Sequence, residues 1–204
     1  MGHAHLTPQE AALRAVSIPL DYARQGRSLA WAALAGCRRL EVLAHHPRRD
    51  VVDRAAGTRF FYHAHEVPGE TLGEHGHFHL FHEDAQGLGH LAALSLDPQG
   101  RPLRWFCTNQ WVTGETWRSA SRWAQAVQGF SLQTRGRLAP VARWLEAMVA
   151  LYTQELLALL RERDAVMARA RAQFPSRQAC FNHRPMHILC SQPISLQGKV
   201  QSLL

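Results

Sequence analysis

The chain has 204 residues, of which 46% are hydrophobic and 19% are charged, and its formal net charge is +7. This length suffices for one folded domain with a sizeable core, and the composition excludes an intrinsically disordered chain. No apolar run approaches the roughly 18 residues of a membrane span, and the first residues lack the basic stub and apolar core of a secretory signal. We therefore expect a cytoplasmic protein with no membrane partner.

The basic charge is dispersed along the chain. Lys199 is the only lysine, and the arginines form only short clusters. A nucleic-acid-binding face concentrates basic residues on one element and interleaves aromatic ones. We therefore interpret the charge as a solvated surface and do not expect nucleic acid as a partner, although nucleic-acid binding stays as a minor alternative. The four cysteines have no CxxC spacing, which favours reduced thiols over a disulfide framework.

Residues 8–46 predict helices, because apolar residues recur there at intervals of three and four. Pro19 and Gly26 predict a break between two of them. His45 and His46 close the segment, where a positive charge near a helix C-terminus is favourable.

The remaining chain predicts a sheet over 58–108, a helical segment over 116–173 and a tail over 174–204. The strands are expected at 59–66, 76–83, 88–96 and 103–108. Helices are expected at 116–127 and 140–173, and the tail adds a short strand at 186–190 and a short helix at 196–203. We therefore predict a single α+β domain, with an antiparallel sheet of four to five strands flanked by N- and C-terminal helices.

Residues 60–83 contain six of the thirteen histidines. Side chains alternate between the two faces of a strand, so histidines two residues apart share a face. Two adjacent strands would thus bring five imidazoles to one surface, and imidazole is the commonest metal ligand. The predicted metal ligands are His63, His65, His75, His77 and His79. The alternative is a cluster of histidines hydrogen-bonded to one another in a polar groove.

The sequence also offers acidic and polar partners for this site. Glu70 and Glu74 lie close to the histidines and are candidate general bases or additional ligands. Asn109 and Trp111 follow the last predicted strand and are candidate substrate contacts. Their alternative role is in turn formation and helix capping.

A second candidate metal site combines two thiols with two imidazoles, which suit zinc. Its spacing is not that of a zinc finger, and the alternative is a loop with small buried cysteines. The residues are Cys180, His183, His187 and Cys190.

These patterns predict a metalloprotein whose transition-metal ion is iron or copper ahead of zinc. Three imidazole ligands leave positions open for oxygen and for a small organic substrate, so we expect a metal-dependent oxidoreductase or oxygenase. One alternative is a metal-dependent hydrolase, in which the ion activates water. A non-catalytic metal- or ligand-binding protein is the other. The sequence does not determine the oligomeric state.

Two resemblances add to this interpretation. The order His63, His65 and then Glu70 resembles the first metal motif of cupins, small β-barrels that hold iron, manganese, nickel, copper or zinc. This similarity is a chemical analogy over a short stretch. More broadly, the segments YHAH, GEHGHFHLF, HLAALSLD and TNQWVTGE are similar to a family of uncharacterised bacterial proteins, from which no activity can be transferred.

Overall fold

The computed structural model describes residues 6–37, 41–65 and 73–203 of the chain. Its first helix, α1 (Pro8–Arg24), begins with a capping box, in which the Thr7 hydroxyl accepts from the backbone N–H of Glu10 at 3.2 Å and the Glu10 carboxylate accepts from the backbone N–H of Thr7 at 2.8 Å. These bonds satisfy donors that a helix N-terminus otherwise leaves unpaired. Pro19 lies inside α1, so the predicted break occurs only after Arg24.

Helix α2 (Leu29–Ala33) is shorter than the sequence predicts, because the helical segment expected to reach residue 46 ends at Ala33. A first strand that the sequence did not predict, β1 (His46–Asp53), begins where that segment was expected to end. This strand lies at the sheet edge and only its two end residues are buried, so it lacks the alternation of apolar and polar residues that marks a half-buried strand.

Within the described residues the sheet has six antiparallel strands rather than four or five, in the order β1-β2-β3-β4-β5-β6. The additional strand is β1 at one edge, whereas β6 at the other edge corresponds to the short strand expected in the tail. The remaining bounds are β2 (Thr58–His63), β3 (Gly76–Asp84), β4 (Gly87–Leu96), β5 (Pro102–Thr108) and β6 (Ile188–Pro193).

The helices that follow the fifth strand divide the predicted long segments. The helix expected over 140–173 is two helices that meet at Tyr152, whose φ of −109° and ψ of 22° depart from helical values. The bounds are α3 (Gln110–Thr113), α4 (Ala120–Gln128), α5 (Ala139–Leu151), α6 (Thr153–Arg171), α7 (Arg177–Phe181) and α8 (Leu196–Gln201).

The main core lies between one face of the sheet and the helices. Phe78 on β3 is fully buried and its ring lies 6.2 Å from that of Trp144 on α5. The Trp144 indole N–H donates to the carbonyl of Ala15, which joins α5 to α1. The fold is therefore α+β, with helices at both ends of the chain, and no helix in the described ranges is long and apolar enough to cross a membrane. Because side chains alternate along each strand, the opposite face of the sheet carries a different set of residues.

Candidate metal centre

Three histidines meet on the second face of the sheet. His63 is the last residue of β2 and pairs directly with His77 on β3, so both side chains lie on the same face. His65 follows two residues after His63. One nitrogen from each ring lies within 4.8 Å of the others, which makes this trio the one group able to hold a metal ion among the described residues. We refer to His63, His65 and His77 as the histidine trio.

His63 is the most unusual member of the trio. Its side chain is buried, yet neither ring nitrogen has a hydrogen-bond partner. Burial, reinforced by the neighbouring rings of His77 and His65, lowers the pKa of His63 to about 3. The ring is therefore neutral near pH 7, which is the form that binds metals. A buried polar group without a partner normally costs free energy, so a missing ligand is a direct explanation.

His77 is held in a defined orientation by a carboxylate. Its Nδ1 donates to Glu74 at 2.7 Å, because a carboxylate can only accept, and this leaves Nε2 as the lone-pair nitrogen. The other Glu74 oxygen has no hydrogen bond and lies 3.5 Å from Arg104 Nη2. A carboxylate behind a ligating imidazole is the usual outer partner of a metal site. Glu74 is thus placed to orient His77, whereas the sequence proposed it as a general base or an additional ligand.

A chain of buried rings continues from the trio into the protein. The His79 ring lies 4.9 Å from that of His77, and its Nδ1 is 3.0 Å from Nε2 of His90. The His90 Nδ1 is in turn 3.3 Å from the Thr108 hydroxyl. Burial lowers the pKa of His90 to about 3 and that of His79 well below its usual value. His79 therefore lies on the same face of the sheet as the trio and packs beside His77, while its Nδ1 is directed to His90.

His75 lies outside the trio, although the sequence grouped it there. Its Nδ1 is hydrogen-bonded to the Tyr62 hydroxyl at 2.8 Å, and Tyr62 is a fully buried residue of the main core. The strand begins only at Gly76, so the alternation rule does not extend to His75. Glu70, the other candidate base and the glutamate of the cupin-like motif, lies outside the described residues.

A pocket of about 250 Å³ opens beside the trio. It has polar and apolar walls, and Glu74 is the single acidic residue among those that the structure describes there. Its lining residues are His65, Glu74, His75, Gly76, His77, His79, Arg104, Phe106, Thr108, Val112, His187 and Ile188.

The predicted substrate contacts do not line this pocket. Asn109 is fully buried, and its side chain caps α3 through the Gln110 N–H and donates to the Cys180 carbonyl at 3.1 Å. The Trp111 indole N–H donates to the His183 carbonyl. Both residues thus fasten α3 to the C-terminal segment, in line with the capping role that the sequence also allowed.

The thiol–imidazole set does not form a candidate metal group in the described residues. Cys180 is buried in a small apolar cluster with Met167 and Phe181, whereas Cys190 pairs across strands with Cys107. The two histidines also separate, because the His183 ring packs on Phe174 and His187 lines the pocket. All four cysteines are free thiols, as expected.

Sequence reasoning missed two histidines near the trio. His90 is brought to this face by an irregularity in the pairing of β3 with β4, where the register shifts between Leu80 and Phe81. His45, which the sequence placed on a helix, stacks on Phe61 at 3.7 Å between ring centroids, and its ring centroid lies 6.2 Å from that of His63. The only sequence signal for either was the overall count of histidines.

The distances allow a metal ion after a small adjustment. A metal about 2.0–2.1 Å from each nitrogen in tetrahedral geometry requires the nitrogens to be about 3.3 Å apart. The trio spans at most 4.8 Å, so no pair needs to close by more than about 1.5 Å. Side-chain rotation supplies such a change, and the neutral ring of His63 has both nitrogens available.

Together, the fold and the site define an α+β protein that carries a cluster of imidazoles, buried except for His65, on one face of an antiparallel sheet. The chain belongs to the family described as Domain of unknown function (DUF6969), which residues 9–194 match. This match confirms the resemblance to an uncharacterised family. No curated protein and no solved structure matches the chain.

Proposed function

We propose that this protein is a metalloprotein that binds one transition-metal ion through the histidine trio. The observation that carries the proposal is His63, a buried neutral imidazole with two unpaired nitrogens within reach of two further imidazoles. An ordinary structural histidine would have its nitrogens hydrogen-bonded, as those of His90 are. The carboxylate of Glu74 behind His77 supports the same conclusion.

The pocket argues for catalysis rather than storage. His65 and His77 both line it, so an ion on the trio would border a cavity that a small molecule can enter. Storage and structural sites are instead closed by four protein ligands. We therefore propose an enzyme whose substrate is a small organic molecule.

Oxidoreductase or oxygenase chemistry is the reaction class that we favour, with iron or copper as the ion. Such an ion would supply redox chemistry, and a facial set of neutral imidazoles leaves positions for oxygen and substrate. Hydrolysis would benefit from a free carboxylate base. Glu74 is the acidic residue described in the pocket, and its two oxygens face His77 and Arg104. This engagement places hydrolysis second.

Metal analysis of protein purified without added metal tests the proposal. We expect about one ion per chain in the wild type and little in a His63→Ala/His77→Ala double variant. His82→Ala is the matched control, because His82 lies on the same strand but packs against Trp123 on the other face. Sub-stoichiometric metal that is the same in all three proteins would refute metal binding by the trio.

Electronic spectra address the reaction class. Iron- or copper-loaded protein whose spectrum changes when air replaces nitrogen would support oxygen or redox chemistry. A site that retains only zinc and shows no such response would contradict the redox assignment and favour hydrolysis.

A further inference from the structure

Arg104 lies in the same cross-strand row as His63 and His77 of the histidine trio. His63 on β2 pairs with His77 on β3, His77 pairs with Ser95 on β4, and Ser95 pairs with Arg104 on β5. Directly paired residues share a face, so Arg104 belongs to the face that carries the trio. Its backbone is two strand spacings, about 10 Å, from that of His77. The intervening Ser95 is small and fully buried.

The guanidinium of Arg104 has unused donors. It lies 5.0 Å from the centroid of the Phe106 ring, and its Nη2 is 3.5 Å from Glu74. No hydrogen bond of this guanidinium is formed with the residues that the structure describes. Its side chain is only 22% exposed, although an arginine presents five N–H donors. A partly buried side chain whose guanidinium keeps free donors in a pocket is suited to an anionic acceptor.

The charge balance also favours an anion. Neutral imidazoles leave the charge of a divalent ion uncompensated. Arg104 adds a further positive charge, and Glu74 supplies the one negative charge among the described lining residues. The pocket would thus carry a net charge of about +2 with the ion in place. An organic anion would reduce this charge, whereas a neutral or cationic substrate would not.

The rest of the pocket indicates the body of the ligand. Phe106, Val112 and Ile188 provide apolar wall to the pocket that Arg104 also lines. Phe106 also contacts the His77 ring, with centroids 5.1 Å apart, so an apolar surface lies between Arg104 and the trio. The available space suits a compact molecule with one charged end.

From these observations we propose that the pocket binds a small organic carboxylic acid as its anion, with the carboxylate group on Arg104 and the apolar body on Phe106 beside the histidine trio. Planar carboxylates match the two parallel N–H donors of a guanidinium. This assignment rests on the proposed metal site, because it places the reacting end of the substrate next to that ion. It makes Arg104 a substrate-binding residue that selects for charge.

Calorimetric titration with benzoate, and with benzamide as its neutral counterpart, tests the assignment. We expect benzoate to bind zinc-loaded wild-type protein more tightly than benzamide does. In Arg104→Gln, benzoate binding should weaken roughly 10- to 100-fold, as expected for loss of a charge-assisted bond. Arg135→Gln is the matched control, because it removes the same charge at an exposed position outside the pocket.

Zinc content and circular dichroism are measured on each protein, so that loss of metal or of folding is not mistaken for loss of the carboxylate site. Equal benzoate affinity in the Arg104 and Arg135 variants, or equal affinity for benzoate and benzamide, would overturn the carboxylate assignment and leave the metal site standing. If the wild type retains no metal, the proposed function fails. The same benzoate titration on chelator-treated protein then tests the Arg104 assignment alone. Benzoate binding to the wild type that is lost in Arg104→Gln upholds the assignment, and no benzoate binding to the wild type overturns it.

Discussion

Replacement of His63 by leucine separates its place in the fold from its role in the metal site. Leucine is close to histidine in volume and has no polar atoms. In metal-free protein the substitution removes two buried nitrogens that have no hydrogen-bond partner. A buried unpaired polar group costs about 1–3 kcal/mol of stability, and the substitution removes this cost. The substitution also removes the ring contacts of His63, which costs about 1 kcal/mol. We therefore expect the free energy of unfolding to stay the same or rise by up to about 2 kcal/mol.

His90→Leu is the matched control for this experiment. His90 is also buried, with 4% of its surface exposed against 9% for His63, but its nitrogens are bonded to His79 at 3.0 Å and Thr108 at 3.3 Å. Its removal leaves those two partners unpaired, so metal-free protein should lose about 1–3 kcal/mol of stability. The two substitutions are chemically identical and should act in opposite directions or at least differ clearly in size.

Urea unfolding with a chelator at about pH 8, above the ordinary histidine pKa, measures the first effect. When the measurement is repeated with metal at about 100 times the dissociation constant, the free energy of unfolding should rise by about 2.7 kcal/mol for the wild type and by almost nothing for His63→Leu. The reasoning is refuted if His63→Leu destabilises metal-free protein as much as His90→Leu does. It is also refuted if metal stabilises His63→Leu as much as it stabilises the wild type.

Three further outcomes follow from the geometry. Glu74→Gln should weaken metal binding about 10- to 100-fold in a chelator competition, because it removes the carboxylate that orients His77; unchanged affinity would contradict that role. Burial lowers the pKa of His90 to about 3, so the unfolded chain binds its proton first as the pH falls. The contribution of neutral His90 to the stability of metal-free protein is therefore full above about pH 6.5 and declines towards pH 3. Over that range the free energy of unfolding should fall less steeply with pH in His90→Leu than in the wild type, and equal slopes would argue against this. Gly76→Ala should destabilise the protein by about 1–3 kcal/mol, since its Cβ would lie 2.7 Å from the His63 carbonyl oxygen and 2.8 Å from Tyr62, and an unchanged urea midpoint would contradict this packing.

The sequence predicted the part of the site that depends on strand alternation. His63 and His77 lie inside or at the end of regular strands, where side-chain direction has a period of two. Their pairing follows because β2 and β3 are consecutive antiparallel strands. The four central strands were predicted for a similar local reason, since each is a short run rich in apolar and aromatic residues, with histidines at alternate positions in β3.

The parts that the sequence did not predict depend on breaks in that periodicity. Along β4 simple alternation places Leu91 on the face of the trio and His90 on the core face. Instead His90 pairs with Phe81, while Ala92 pairs with Leu80, so Leu91 is an extra residue in the ladder. Such a bulge reverses which residues face the site beyond it, and no composition signal marks its position.

The edge strand β1 and the approach of His187 to the pocket were missed for a different reason. β1 pairs with only one neighbour, so its sequence lacks a fully buried pattern, whereas the other edge strand, β6, overlaps the strand predicted at 186–190. His187 reaches the pocket only because β6 pairs with β5, far from it in sequence. Long-range pairing of this kind is determined by tertiary packing and not by local propensity.

Two rows of paired residues cross the sheet and explain why a pocket forms here: His77, Ser95 and Arg104 in one, and His79, Ala93 and Phe106 in the other. On this face β4 presents Ala93 and Ser95, both fully buried and both small, between the histidines of β3 and the side chains of β5. Larger residues at these central positions would bring the walls together, because opposed side chains on a sheet are only about 4.5–5.5 Å apart. The opposite face of β4 carries Leu94 and Leu96, which complete the main core. The same strand therefore provides apolar packing on one face and small residues between the pocket-lining side chains of β3 and β5 on the other, so that changes to the trio should alter ligand binding without removing the contacts that hold the sheet to its helices.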